Sequence, residues 1–131
     1  MSYQVNGNEP AIVGKICEGL YLVQHQENGS ITDPSNVALF RFDDNWVKLY
    51  FDGGTIFWRE SEAPSEPVNG NLLTCLSLLN LCELEGVVGH KLNSIEYNGD
   101  NKHVWATLQF TSGKTLLFKH NSYDDYTAIH C

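Results

Sequence analysis

The chain has 131 residues, 42% hydrophobic and 18% charged, and its eight basic against sixteen acidic residues give a net charge of −8. That length suffices for one domain with its own core. The acidic balance argues against nucleic-acid binding, which needs a basic footprint, and no run of ~18 apolar residues marks a membrane span.

The first ten residues, Met1 to Pro10, are polar and read as frayed. They lack the basic and apolar regions of a secretory signal, so a cytoplasmic protein is expected. A strand is predicted from about Ile16 to Gln24. Asn28-Gly29 signals a tight turn, and Asp33-Pro34-Ser35-Asn36 reads as a longer loop. Val37 to Phe42 forms the next strand, and Asp43-Asp44-Asn45 turns it into Trp46 to Phe51. Asp52-Gly53-Gly54 turns again into a strand from Thr55 to Arg59.

Glu60 to Pro67 holds three glutamates and two prolines and reads as a solvated linker. Asn69-Gly70-Asn71 can cap a helix, and Leu72, Leu73, Leu76, Leu79 and Cys82 follow at helical spacing. One helix is therefore expected over about 71–84. On it Cys75 and Cys82 would lie ~10 Å apart, too far for a disulfide, and free thiols are the expectation. After Gly86 and Gly89, strands are predicted over Lys91–Tyr97, His103–Phe110, Lys114–His120 and Tyr126–His130. The sum is an α+β single domain, predominantly antiparallel. It has six to eight strands in two meanders, about 11–60 and 87–130, joined by the acidic linker and the helix.

The two meanders echo each other. Trp46, Leu49, Phe51 and Gly54 recur at the same offsets as Trp105, Leu108, Phe110 and Gly113. A second echo, one insertion apart, joins Val13-Gly14-Lys15-Ile16 to Val88-Gly89-His90-Lys91-Leu92. Alternation along the first copy sends Val47, Leu49 and Phe51 to one face and Trp46, Lys48 and Tyr50 to the other. Asp43, Asp44 and Asp52 occupy the turns at the ends of that second face. An aromatic pair ringed by carboxylates suits protein recognition. Each Trp equally suits a ring that caps the core.

Residues 18–66 carry nine acidic against three basic residues, −6 of the total −8. Such a surface speeds encounter with a basic partner, or simply keeps the chain soluble. The candidate partner-binding residues are Asp43, Asp44, Trp46, Lys48, Tyr50, Asp52, Glu60 and Glu62. The sequence holds no phosphate loop, nucleophile elbow or metal-ligand spacing, so neither catalytic residues, metal nor cofactor are assigned. Convergence of His120, His130 and Cys131 would give a metal or thiol site. A pocket between the sheet and the expected helix would hold a small ligand or lipid.

The run Leu39-Phe-Arg-Phe-Asp-Asp-x-Trp-Val-x-Leu-x-Phe-Asp-Gly-Gly-Thr, the leucine-rich segment after it, Leu92-x-x-Ile-x-Tyr, and Leu108-x-Phe-x-x-Gly-x-x-Leu together resemble small acidic immunity proteins. These are cytoplasmic antidotes of bacterial contact-dependent inhibition and related polymorphic toxin systems. The resemblance spans residues 37 to 120 and rests on hairpin patterns. It implies a non-catalytic protein that binds one cognate toxin domain, for many such systems a basic nuclease, and blocks its action.

Overall fold

The computed structural model describes residues 4–27, 30–65, 74–124 and 126–130. Ten strands occur in chain order: β1 Gln4–Asn6, β2 Cys17–Glu27, β3 Ser30–Phe42, β4 Asn45–Asp52, β5 Thr55–Ser61, β6 Thr74–Asn80, β7 Leu92–Gly99, β8 His103–Phe110, β9 Thr115–Asn121 and β10 Tyr126–His130. They form a six-stranded sheet, ordered β1-β5-β4-β3-β2-β6, and a four-stranded sheet, ordered β10-β9-β8-β7. All neighbours are antiparallel except β1, which runs parallel to β5. No helix among the described residues is long and apolar enough to cross a membrane.

The expected helix over 71–84 is overturned, and with it the α+β class: the described residues are all β. Residues 71–73 lie outside the described set. Thr74–Asn80 is instead a strand, paired with β2 over seven positions from Tyr21↔Asn80 to Glu27↔Thr74. Short apolar runs satisfy the helical and the strand period alike. Here β2 decides, because β2 is eleven residues long and its far edge offers backbone groups that must be bonded. Asn80 then stops the strand by accepting the Cys82 amide on its side chain at 2.8 Å.

Several boundaries also move. β3 runs through Asp33 to Asn36, where a loop was expected, because irregular register between Val23 and Gln26 of β2 absorbs the misfit. Gln4 to Asn6, expected to fray, form β1 and are held by Arg59, whose guanidinium donates to the Asn6 carbonyl and side chain. Asn28-Gly29 and Asn69-Gly70-Asn71 lie outside the described residues.

One apolar cluster fills the space between the sheets. Leu20, Phe40, Leu49, Ile56 and Trp58 from one sheet meet Leu92, Leu108, Leu116 and Phe118 from the other, all essentially without solvent contact. Phe40 meets Phe118 edge to face at 6.1 Å, and Phe51 stacks on His120 at 5.6 Å. Rings of this size contribute strongly through buried area alone, at ~25 cal/mol per Å2.

The sheets are joined at a corner with reciprocal bonding. The Gly14 amide donates to the Leu92 carbonyl, and the Gly89 amide donates to the Cys17 carbonyl. Likewise Leu92 bonds Lys15 while Cys17 bonds His90, and Lys15 bonds Ile12 while His90 bonds Val87. Ile16 and Lys91 form the bridge at the centre. Every bond maps onto its counterpart by an offset of 75, which is a local two-fold relation. It equates β2 with β7 and needs no insertion. The Trp46/Trp105 echo instead overlays β4 on β8, one strand further along the meander. The two echoes in the sequence thus describe different superpositions.

Candidate partner-binding face

Alternation along β4 is realised as two faces. Val47, Leu49 and Phe51 are buried between the sheets, and Trp46, Lys48 and Tyr50 stand half-buried on the outside. The register sets their neighbours: Trp46 lies between Arg41 and Ser61, Lys48 between Leu39 and Arg59, and Tyr50 beside Phe57. Tyr21 of β2 approaches Trp46 edge-on at 5.8 Å, and Tyr50 lies flat on Phe57 at 4.8 Å with only 3° between the planes. Gly19 sits beneath Trp46, where a Cβ would come within 3.1 Å of the indole. The outer face of the six-stranded sheet is therefore a field of four rings.

Its charges differ from the expectation of a carboxylate ring. Arg41, Lys48 and Arg59, all the cations of the acidic segment, are on this same face. The Lys48 ammonium lies 5.9 Å from the Tyr50 centroid and the Arg59 guanidinium 5.4 Å from that of Phe57. Both distances are within cation–π range. The strict alternation of β5, with Phe57, Arg59 and Ser61 opposite Ile56 and Trp58, is the sequence signal for this cluster.

Asp43 and Asp44 form the two-residue turn between β3 and β4, with φ of 52° and 62°. Left-handed values at both positions are those of a type I′ hairpin turn, which favours Asn-Gly. The carboxylates stay exposed yet are engaged: Asp43 pairs with Lys15 at 3.3 Å, and Asp44 with Arg41 at 2.5 Å. Glu18 joins by accepting the Asp44 amide and approaching Arg41 at 3.8 Å. Pairs this exposed contribute about 0–1 kcal/mol each. At the other end of β4, Asp52 is exposed opposite Thr55.

The last two candidates part company with the rings. Glu60 stands opposite Val47, on the alternate set to Trp46, and points toward the N-terminal segment near Pro10. Glu62 lies just past β5, where residues 60–65 and Leu39 and Lys48 border an open groove of about 620 Å3. So Trp46, Lys48 and Tyr50 share one face, Asp43, Asp44 and Asp52 occupy its ends, Glu62 borders it, and Glu60, on the alternate set of β5, reaches the same groove at its border.

No family model, curated protein or solved structure matches the chain. Its own geometry has to carry the functional reading.

The other candidate chemistries are placed as follows. His120 is buried, with Nδ1 2.7 Å from the Thr127 hydroxyl. His130 lies at the end of β10 opposite Leu117, and Cys131 is outside the described residues. Among the described residues no three His, Cys, Asp or Glu side chains gather as a metal site. Burial pushes the Cys17 thiol up to about 12, which keeps it protonated and poorly nucleophilic. The pocket expected between sheet and helix has no helix to form it. The clefts beside Trp58 and Phe42 instead open along the N-terminal segment at the surface.

The four-stranded sheet gives the comparison that isolates the ring field. Its outer face carries Ser94, Glu96, Asn98, Thr107, Gln109 and Thr115, with Leu117 and Tyr126 apart from one another and Trp105 the one indole, under Lys119 at 5.8 Å. Where the corner relation equates Tyr21 with Glu96 and Val23 with Asn98, one sheet is apolar and the other polar.

Proposed function

We propose that the chain is a non-catalytic cytoplasmic binding protein, an immunity-type inhibitor that holds a basic toxin domain against the outer face of its six-stranded sheet. The observation that supports this reading is the contrast between two outer faces built on related meanders. One presents Tyr21 against Trp46 and Tyr50 against Phe57, two ring pairs, and the other spaces Trp105, Leu117 and Tyr126 among hydroxyls, amides and Glu96, with no ring pair among its described residues. Solvation alone does not call for four large rings on one outer face, whereas Trp and Tyr are the residues on which protein interfaces concentrate their binding energy.

Charge divides the work. Lys48 and Arg59 lie over rings and flatten the centre of the face. Asp43, Asp44, Asp52 and Glu62 stand exposed at its ends and border, where they accelerate encounter with Lys and Arg on a partner. The acidic pair also occupies left-handed positions where Asn-Gly would be less strained, which fits a role for the carboxylates beyond turning the chain.

The test is co-expression of the full chain with the protein encoded immediately upstream, then purification at about 0.05 M and about 0.5 M salt. A complex at low salt is expected, with an association rate that falls as salt rises. If a basic upstream product is made and no complex forms at either salt, the reading fails.

A further inference from the structure

We propose that β6 is a strand-addition edge that pairs, antiparallel and about a two-fold axis at Ser77, with β6 of a second copy of this chain. The other strand edges of the two sheets are protected. Exposed strand edges invite pairing, and proteins blunt them by shortness, charge, bulges or cover. β1 is three residues long and parallel. β7 carries a register irregularity between Leu92 and Ser94 and an exposed Glu96, and the chain near Lys15 already bonds its start. β10 lies against β3, and its Thr127 amide donates to the Asp33 carboxylate at 2.8 Å.

Among the described residues β6 shows none of these devices. It is seven residues long and pairs with β2 without a register shift, and among the described residues β2 is its one hydrogen-bonded neighbour. Its sequence, Thr-Cys-Leu-Ser-Leu-Leu-Asn, holds no charge, proline or glycine. An edge of this kind is an aggregation hazard unless something covers it.

Self-complementarity identifies the cover. Antiparallel pairing about Ser77 sets Leu76 opposite Leu78, Cys75 opposite Leu79 and Thr74 opposite Asn80, so like meets like and no charge opposes its twin. That matters for a chain with a net charge of −8, whose copies repel everywhere else. The pairing also continues the Leu78–Val23–Val37 row across the axis, and it covers Leu79, which is 36% exposed. A closed isologous dimer results, with one continuous sheet of twelve strands.

Sedimentation velocity and light scattering of the full chain over a hundredfold concentration range test this. A monomer–dimer equilibrium is expected, with Leu79→Lys weakening it about tenfold or more while leaving the circular dichroism spectrum unchanged. Leu79→Cys under mild oxidation is expected to give a dimer whose non-reduced peptides contain a bond from Cys75 to the introduced thiol. Hydrogen exchange of the β6 amides is expected to slow as the protein becomes more concentrated. A monomer at every concentration overturns the proposal. So does a dimer indifferent to Leu79→Lys and linked elsewhere, or β6 amides protected only when the upstream gene's product is added. The sedimentation and crosslinking outcomes use this chain alone, so they do not depend on whether the ring face binds a toxin.

Discussion

Gly14 and Gly89 are counterparts across the corner: each adopts a φ near 90°, and each donates its amide at 2.8 Å to the opposing half. A Cβ at either position would meet nothing within 4 Å, so alanine there brings backbone strain without a clash. Left-handed backbone costs a non-glycine residue ~1–2 kcal/mol. Gly14→Ala and Gly89→Ala are therefore each expected to lose that much stability, and to agree within about 0.5 kcal/mol. Gly86→Ala should lose more, because its Cβ would come within 2.9 Å of the Lys114 Cβ. Urea unfolding of the three variants measures this, and clearly unequal costs at Gly14 and Gly89 would contradict the two-fold relation.

The turn from β7 to β8 depends on a carboxylate. Asp100 accepts the amides of Lys102 and His103 at 2.8 and 2.7 Å, and these bonds hold its carboxyl below the ordinary value of 3.8. A depressed carboxyl adds stability above its unfolded-state value, and that stability is lost as pH falls through the lower, folded-state value. Asp100→Ala is accordingly expected to melt at a lower temperature than the parent near pH 7. The difference should shrink through the acid range below 3.8. Thermal melts from neutral to acid pH test the sign, and a gap that widens on acidification would refute it.

How much of this was legible in the sequence depends on whether neighbours in sequence or neighbours in space decide the outcome. The split of Val47, Leu49 and Phe51 from Trp46, Lys48 and Tyr50 follows from the pleat alone, and the structure has it. The β4–β5 and β8–β9 hairpins follow from their turns. Residues 74–80 fit two periods, and only the unpaired side of β2 selects the strand. The cations show the same limit. Arg41, Lys48 and Arg59 lie on three strands and converge only through register, so counting charge along residues 18–66 could not separate a ring field with cations from its acidic ends.

Asp43 and Asp44 trade stability for charge at the tip of the β3–β4 hairpin. Replacing them with Asn-Gly relieves left-handed strain at Asp44 and removes two exposed ion pairs, each contributing about 0–1 kcal/mol. The double variant Asp43→Asn, Asp44→Gly is expected to be as stable as the parent or up to ~1 kcal/mol more stable. On the proposed function it should bind its basic partner with a slower association rate at low salt and nearly the parental rate at high salt. Stopped-flow binding with urea unfolding separates the two effects. An unchanged association rate at low salt would remove these carboxylates from the steering surface.

Trp46 and Trp105 offer the sharpest comparison, because the sequence presents them as equivalents. Each is half-buried on the outer face of its sheet, so truncating either removes similar ring area and is expected to cost a similar ~1–2 kcal/mol of stability. Their surroundings differ. Trp46 touches Tyr21 and shares its face with the Tyr50–Phe57 stack, whereas Trp105 sits under Lys119 opposite Asn98, with Thr107 next along its face. A hot spot needs neighbours that exclude water around it, which only the first setting supplies. Trp46→Ala is expected to weaken partner binding by about 30-fold or more, chiefly through faster dissociation, and Trp105→Ala by less than about threefold. Calorimetry on both folded variants decides it. Equal losses would mean that the partner grips both sheets, and a loss confined to Trp105 would move the interface to the four-stranded one.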